Sequence, residues 1–300
     1  MVENIKYLLF GPGGPLGLNF YGSIKQCCKL GIINLDDIQA YFGISIGSIV
    51  SVMLLLKYDF ETLDDYIIKR PWHKAIKSDI LQNIVNLYSS CGMYNRDFFI
   101  TILQPLLKGK NLTIDITFKD FFEYTNTPLF IYATNMKTMK YEEFSHLTHP
   151  DVNLIDAIHA SCSIPFIFNP SKINDTLYCD GALSLKETID ICIHKYNVEN
   201  HDEICSFITY FDNIETKTIN TDNVLNMLYT WLPFIFNNKT QQSNNTIKHN
   251  YYSENNNIET LTNITRYIND SELRLKMIND GVKLIDKIFE NNEIVSNEIL

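Results

Sequence analysis

Through roughly the first two thirds of the chain, short runs of nearly continuous apolar residues alternate with longer segments in which apolar positions recur every three or four residues. The short runs predict buried strands over residues 5–10, 38–42, 129–134, 141–145, 176–179 and 203–210. The periodic segments predict helices over 15–30, 48–56, 153–161 and 186–196, with Pro15 at a first-turn position where its missing N–H costs little. Between 60 and 107 the pattern is helical throughout, with breaks at Pro71, Gly92 and Gly109. Strands alternating with helices in this way predict an α/β fold, a three-layer sandwich with a mostly parallel central sheet and helices on both faces. Beyond Phe211 the pattern changes. Residues 237–257 are dense in Asn, Thr, Ser and Gln and predict a flexible loop, and 271–290 predict a charged helix. The expected organisation is a catalytic α/β domain over 1–212 and a C-terminal helical extension over 213–300.

Composition narrows the function classes. A formal net charge of −10 with no Lys/Arg stripe argues against binding the phosphate backbone of nucleic acid. The longest apolar stretch, 49–56, falls well short of the roughly 20 residues a membrane span needs. The first ten residues carry an acid early and too short an apolar run for a secretory leader. An intracellular, cytoplasmic chain is therefore expected, peripheral where it meets membranes. Its 7 cysteines are odd in number, form no CxxC pair and read as reduced core residues. No His/Cys pair has ligand spacing, so a metal site is not expected.

Three short stretches could carry chemistry. Gly43-Ile44-Ser45-Ile46-Gly47 fits GxSxG between a predicted strand and a predicted helix, the context in which a serine is held up on a sharp turn. The same five residues also suit a tight connection without chemistry. Gly11-Pro12-Gly13-Gly14-Pro15-Leu16-Gly17 follows the first strand. It lacks the GK[ST] of a P-loop and the last glycine of a dinucleotide fingerprint, which leaves an oxyanion loop or a plain turn. Asp180-Gly181-Ala182 places an acid at the carboxyl end of a strand, where ligands bind in open α/β sheets, although Asp-Gly is also a common turn.

In this order the three stretches resemble the patatin-like phospholipase family. So do TPLFIYATNMKTMKYEEFS (127–145) and DAIHASCSIPFIFNP (156–170), and the likeness covers roughly residues 5–210. The resemblance implies a Ser–Asp dyad without histidine: Ser45 as nucleophile, Asp180 as base, and the Gly13 and Gly14 amides as the oxyanion hole. It implies a phospholipid or other acyl-lipid substrate, transient contact with a membrane surface, and no cofactor. A free aspartate titrates near pH 4, so Asp180 would need burial and direct contact with the serine to serve as a base. Pro12 replaces a loop glycine usual in the family, Leu16 stands where a cation is common, and the Asn-x-Pro that often follows the aspartate is missing.

Other readings remain at this stage. A Ser–Asp–His triad could recruit His194 or His201, acyl transfer to an acceptor other than water is chemically adjacent, and a degenerate member could bind lipid or a partner protein without turnover. Residues 224–236, VLNMLYTWLPFIF, read as a buried helix or as an interfacial anchor or lid.

Overall fold

The computed structural model describes residues 4–76, 80–210, 243, 245–254 and 264–297. The chain opens with β1 (Tyr7–Phe10), a glycine-rich turn and α1 (Gly17–Lys29), then β2 (Ala40–Ile44) and α2 (Ile46–Leu55). Next come α3 (Phe60–Lys69), α4 (Trp72–Ala75), α5 (Ile80–Ser90), β3 (Gly92–Tyr94), α6 (Arg96–Gly109) and α7 (Phe118–Thr125). Then follow β4 (Leu129–Asn135), β5 (Lys140–Phe144), α8 (Leu154–Cys162), β6 (Phe166–Phe168), β7 (Ser171–Ile173), β8 (Thr176–Asp180), α9 (Ile189–Tyr196) and β9 (Ile204–Tyr210). The described part ends with β10 (His249–Glu254), α10 (Ile264–Asn269) and α11 (Ser271–Asn297).

Eight strands form the central sheet in the order β10-β9-β1-β2-β4-β8-β7, with β5 also paired to β4. The pairs from β10 to β4 along this path are parallel, and β8, β7 and β5 join antiparallel. Strand side chains alternate between the two faces, so a sheet covered on both sides must be apolar at nearly every position. Tyr7, Leu9, Phe42, Phe130 and Tyr132 enter one core with Ile189 and Cys192 of α9. Leu8, Phe10, Tyr41 and Ile131 enter the other with Phe20 and Ile24 of α1, Val50 of α2 and Ile158 of α8. This is the expected three-layer α/β sandwich.

Two expectations are corrected. Within the stretch read as helical throughout, Gly92–Tyr94 is a strand that pairs with β6 in a separate two-stranded sheet. Within the expected loop over 237–257, His249–Glu254 forms β10 and extends the sheet beyond β9. In β10 the buried positions are His249, Tyr251 and Ser253, while Asn250 and Tyr252 lie outward, so its alternation is one of burial and not of hydropathy. The stretch over 224–236 lies outside the described residues. Five of the cysteines are buried, but Cys28 is half-buried and Cys91 is exposed, against the expectation of core positions.

The C-terminal helices are joined to the body of the protein at defined points. α11 crosses α1 over Gly22 and Gly281, and the Ser23 hydroxyl donates to the Gly281 carbonyl at 3.1 Å. Arg274 is buried without a carboxylate and donates instead to the carbonyls of Ile67 (2.9 Å), Ile68 (2.8 Å), Tyr267 (2.6 Å) and Ile268 (3.1 Å). These belong to the last turns of α3 and α10, whose carbonyls lack helical partners and carry the negative end of the helix dipole. One guanidinium thus ties three helices together. Among the described residues no helix is long and apolar enough to cross a membrane.

Candidate active site

Ser45 stands between β2 and α2 with φ 54° and ψ −126°, a conformation that residues with a Cβ rarely adopt. The surroundings hold it there. Its N–H donates to the Ser161 hydroxyl at 2.8 Å, which in turn donates to the Tyr132 carbonyl at 2.7 Å. Its own carbonyl accepts from the Ser48 N–H at 2.9 Å and the Ser48 hydroxyl at 2.6 Å. The flanking glycines are required by close approach. A Cβ on Gly43 would lie 2.6 Å from the Ser48 Cα, and one on Gly47 would run into the Phe10 carbonyl of β1. The GxSxG spacing therefore reflects how tightly β1, β2 and α2 converge at the serine.

Asp180 ends β8, which runs antiparallel to β4 with Ala133 opposite the aspartate. Its N–H donates to the Ser163 carbonyl at 2.9 Å, and its carbonyl accepts from the Thr134 hydroxyl at 2.8 Å. So fixed, the carboxylate faces the elbow. Oδ2 accepts from the Ser45 hydroxyl at 2.6 Å, and Oδ1 accepts from the Ala182 N–H at 2.8 Å as Gly181 opens a short 3-10 turn. Both side chains are buried, and among the described residues no cation pairs with Asp180. Burial pushes its carboxyl from the ordinary 3.8 up to about 7, with the hydrogen bonds from Ser45 and Ala182 pulling the other way.

The glycine-rich turn lies beside this pair because Phe10 of β1 is in register with Gly43 of β2. Gly14, at φ 53°, begins a 3-10 turn that leads into α1, so the turn sits at the positive end of that helix. Gly14 and Ser45 share the wall of one cavity of about 200 Å³, whereas Gly13 packs against Thr209 and Phe20. Leu16 is buried. The cavity is apolar. It runs past Tyr21, Met53, Phe99 and Trp72 to Ile268 of α10 and to Arg274, whose charge is turned toward helix carbonyls.

The structure thus brings Ser45 and Asp180 into direct contact and sets Gly14 on the same cavity. It brings no histidine to them. His194 is exposed on α9, His201 stands before β9, and the Asp180 carboxylate accepts from the Ser45 hydroxyl and the Ala182 N–H. Sequence reasoning missed the supporting hydroxyls of Ser48, Ser161 and Thr134. The only signal for Ser161 is the Ser-Cys-Ser run that closes the otherwise apolar end of α8. Among the described residues no group of His, Cys, Asp and Glu could hold a metal ion.

The family model described as patatin-like phospholipase matches residues 8–193. The "Probable lipid hydrolase 463L" of Invertebrate iridescent virus 6 is 28% identical over 184 residues, which is 60% of this chain and 63% of that protein. An uncharacterized protein of Acanthamoeba polyphaga mimivirus is 27% identical over 189 residues, 63% of this chain and 62% of its own length. The chain therefore aligns with less than two thirds of either curated relative. Among solved structures, VipD from Legionella pneumophila shares the fold with a TM-score of 0.50 at 14% identity, over 96% of this chain and 67% of that one.

Proposed function

We propose a lipid acyl hydrolase that works through a serine acyl-enzyme, and the premise is that the chain belongs to the patatin-like phospholipase family. The observation that carries the proposal is the 2.6 Å hydrogen bond from the Ser45 hydroxyl to Asp180 at the wall of an apolar cavity. A hydroxyl is a poor nucleophile until a base takes its proton. With its carboxyl at about 7, Asp180 is a far stronger base than an exposed aspartate, and it is ionised above that pH.

In the proposed cycle the Ser45 oxygen attacks the ester carbonyl as Asp180 accepts its proton. The resulting oxyanion is held first by the Gly14 amide, which lies on the cavity, with Gly13 next to it in the chain as the second donor, each such donor being worth about 10²- to 10³-fold in rate. Collapse breaks the bond to the leaving alcohol, which takes the proton back from Asp180. A water then loses a proton to Asp180 and attacks the acyl-enzyme, releasing the fatty acid and restoring the serine. The apolar walls suit an acyl chain, and a phospholipid or related ester fits a substrate that meets the protein at a membrane surface.

The test is hydrolysis of phospholipids, lysophospholipids, galactolipids and triacylglycerols by wild type and Ser45→Ala. At least about a thousandfold loss is expected for the variant on whichever class is cleaved, with fluorophosphonate labelling of wild type at Ser45. Equal rates in the two proteins would end the proposal.

A further inference from the structure

We propose that α5 is the surface by which this protein docks on a zwitterionic lipid interface, laying Ile84, Val85 and Tyr88 into the headgroup boundary beside the cavity. The choice of a lipid as occupant rests on the acyl-hydrolase reading above. A surface helix normally turns its apolar stripe inward. α5 is inverted. Leu81, Ile84, Val85 and Tyr88 recur at i, i+3, i+4 and i+7 and form one stripe, yet they are 75%, 49%, 57% and 94% exposed. Asn83 and Asn86, toward the opposite side, are partly buried, and the Asn86 amide donates to the Met93 carbonyl at 3.2 Å. The side turned to the protein carries Asn83, Asn86 and Leu87, while the longer apolar stripe is left outside.

Two further observations select the occupant. None of the 11 residues of α5 is charged, in a chain of net charge −10. The helix itself therefore brings no carboxylate to a membrane, and it offers no ion pair through which a protein partner would fix its register. It is flanked by Gln82 and Ser89, neutral groups that hydrogen-bond to phosphocholine and water alike. A helix of this length spans about 16 Å, enough to lie flat in the interface.

Position supplies the rest. The chain enters α5 from Trp72 and Ile76, and it leaves through β3 into Phe98 and Phe99 of α6. All four of those side chains line the cavity that holds Ser45. Along the chain the exposed stripe thus falls between two stretches of the cavity wall, which ties an interface that takes up α5 to the space proposed for the acyl chain.

The test is partition of the full chain onto phosphatidylcholine vesicles, for wild type and for the triple variant Ile84→Ser, Val85→Ser, Tyr88→Ser. These side chains are exposed, so the fold should not depend on them. Burial of each is worth about one to two decades of affinity, and at least about a hundredfold weaker partition is expected. Because α5 is uncharged, neither added phosphatidylserine nor salt should strengthen wild-type binding. Cleavage of a short, water-soluble ester should be the same in both proteins. Equal partition of the two, or a wild-type dimer that the variant dissociates, would overturn the docking proposal. If wild type binds vesicles through α5 but cleaves neither lipid nor soluble ester, the docking stands and the hydrolase reading fails.

Discussion

Replacing Asp180 by Asn should make the folded protein more stable at pH 8 while removing its activity. Asp180 is about 1% exposed, and burial lifts its carboxyl from 3.8 to about 7. The folded state therefore prefers the protonated acid. Below pH 4 the acid is protonated in both states and its stabilising effect is complete. As pH rises from about 4 to about 7, the unfolded chain gives up this proton and the folded one keeps it, so stability is lost at 1.36 kcal/mol per pH unit, to a total of about 4 kcal/mol. An asparagine at 180 does not titrate and escapes this loss. Its single amide oxygen keeps the bond from the Ala182 N–H as a weaker acceptor, while its NH2 takes the place of Oδ2 and donates to the Ser45 oxygen, which offsets about 1 kcal/mol or somewhat more. Urea denaturation of both proteins at pH 5 and pH 8 isolates the effect, because every other titrating group cancels in the comparison. The stability of the variant relative to wild type should rise by about 3 kcal/mol between the two pH values. In parallel, wild-type kcat/KM should climb through about pH 7 as Asp180 ionises, with the variant inactive throughout. A variant that loses ground to wild type on going from pH 5 to pH 8 would show that the fold favours the carboxylate, and the account of a buried base would fail.

Ser161→Ala removes the hydroxyl that accepts the Ser45 N–H and donates to the Tyr132 carbonyl. Two buried groups lose partners, so a loss of about 2–4 kcal/mol in urea denaturation is expected, with kcat reduced more than KM; unchanged kcat would mean that the elbow holds its strained shape unaided. Arg274→Met keeps an unbranched chain but takes the guanidinium from the carbonyls of Ile68, Tyr267 and Ile268 and leaves Ile67 only the Trp72 indole N–H. A loss of about 3–5 kcal/mol is expected by the same measurement, and a change below about 1 kcal/mol would remove the guanidinium as the tie between α3, α10 and α11.

The serine elbow was legible because its physics is local. Gly43, Ser45 and Gly47 lie within one turn, and the backbone crowding that demands them leaves a mark in five residues. Asp180 was visible as an Asp-Gly turn, but its contact with a serine 135 positions earlier was implied only by the order of motifs across the chain. Ser161 left no such mark: one hydroxyl at a helix end looks like any other until β4 and the elbow close on it. Strands failed where hydropathy could not speak. β3 is three residues long, and β10 hides His249 and Ser253 while leaving Tyr252 outside. In α5 the helix itself was predicted correctly by its periodicity, yet periodicity is blind to which side of the helix faces the protein.

The position of β1 has a consequence for how the chain is made. This strand lies between β2 and β9, with Tyr7 opposite Ile204 and Phe10 opposite Phe207, and emerges before either neighbour. A ribosome adding about 5–20 residues per second needs about 10–40 s to deliver β9 after β1 has appeared. For that interval four apolar residues present a bare hydrogen-bonding edge, the kind of template on which nascent chains pair with one another. Slower growth at lower temperature lengthens the wait but weakens hydrophobic association, and a chaperone that covers the first strand until β9 arrives should raise the yield of folded protein.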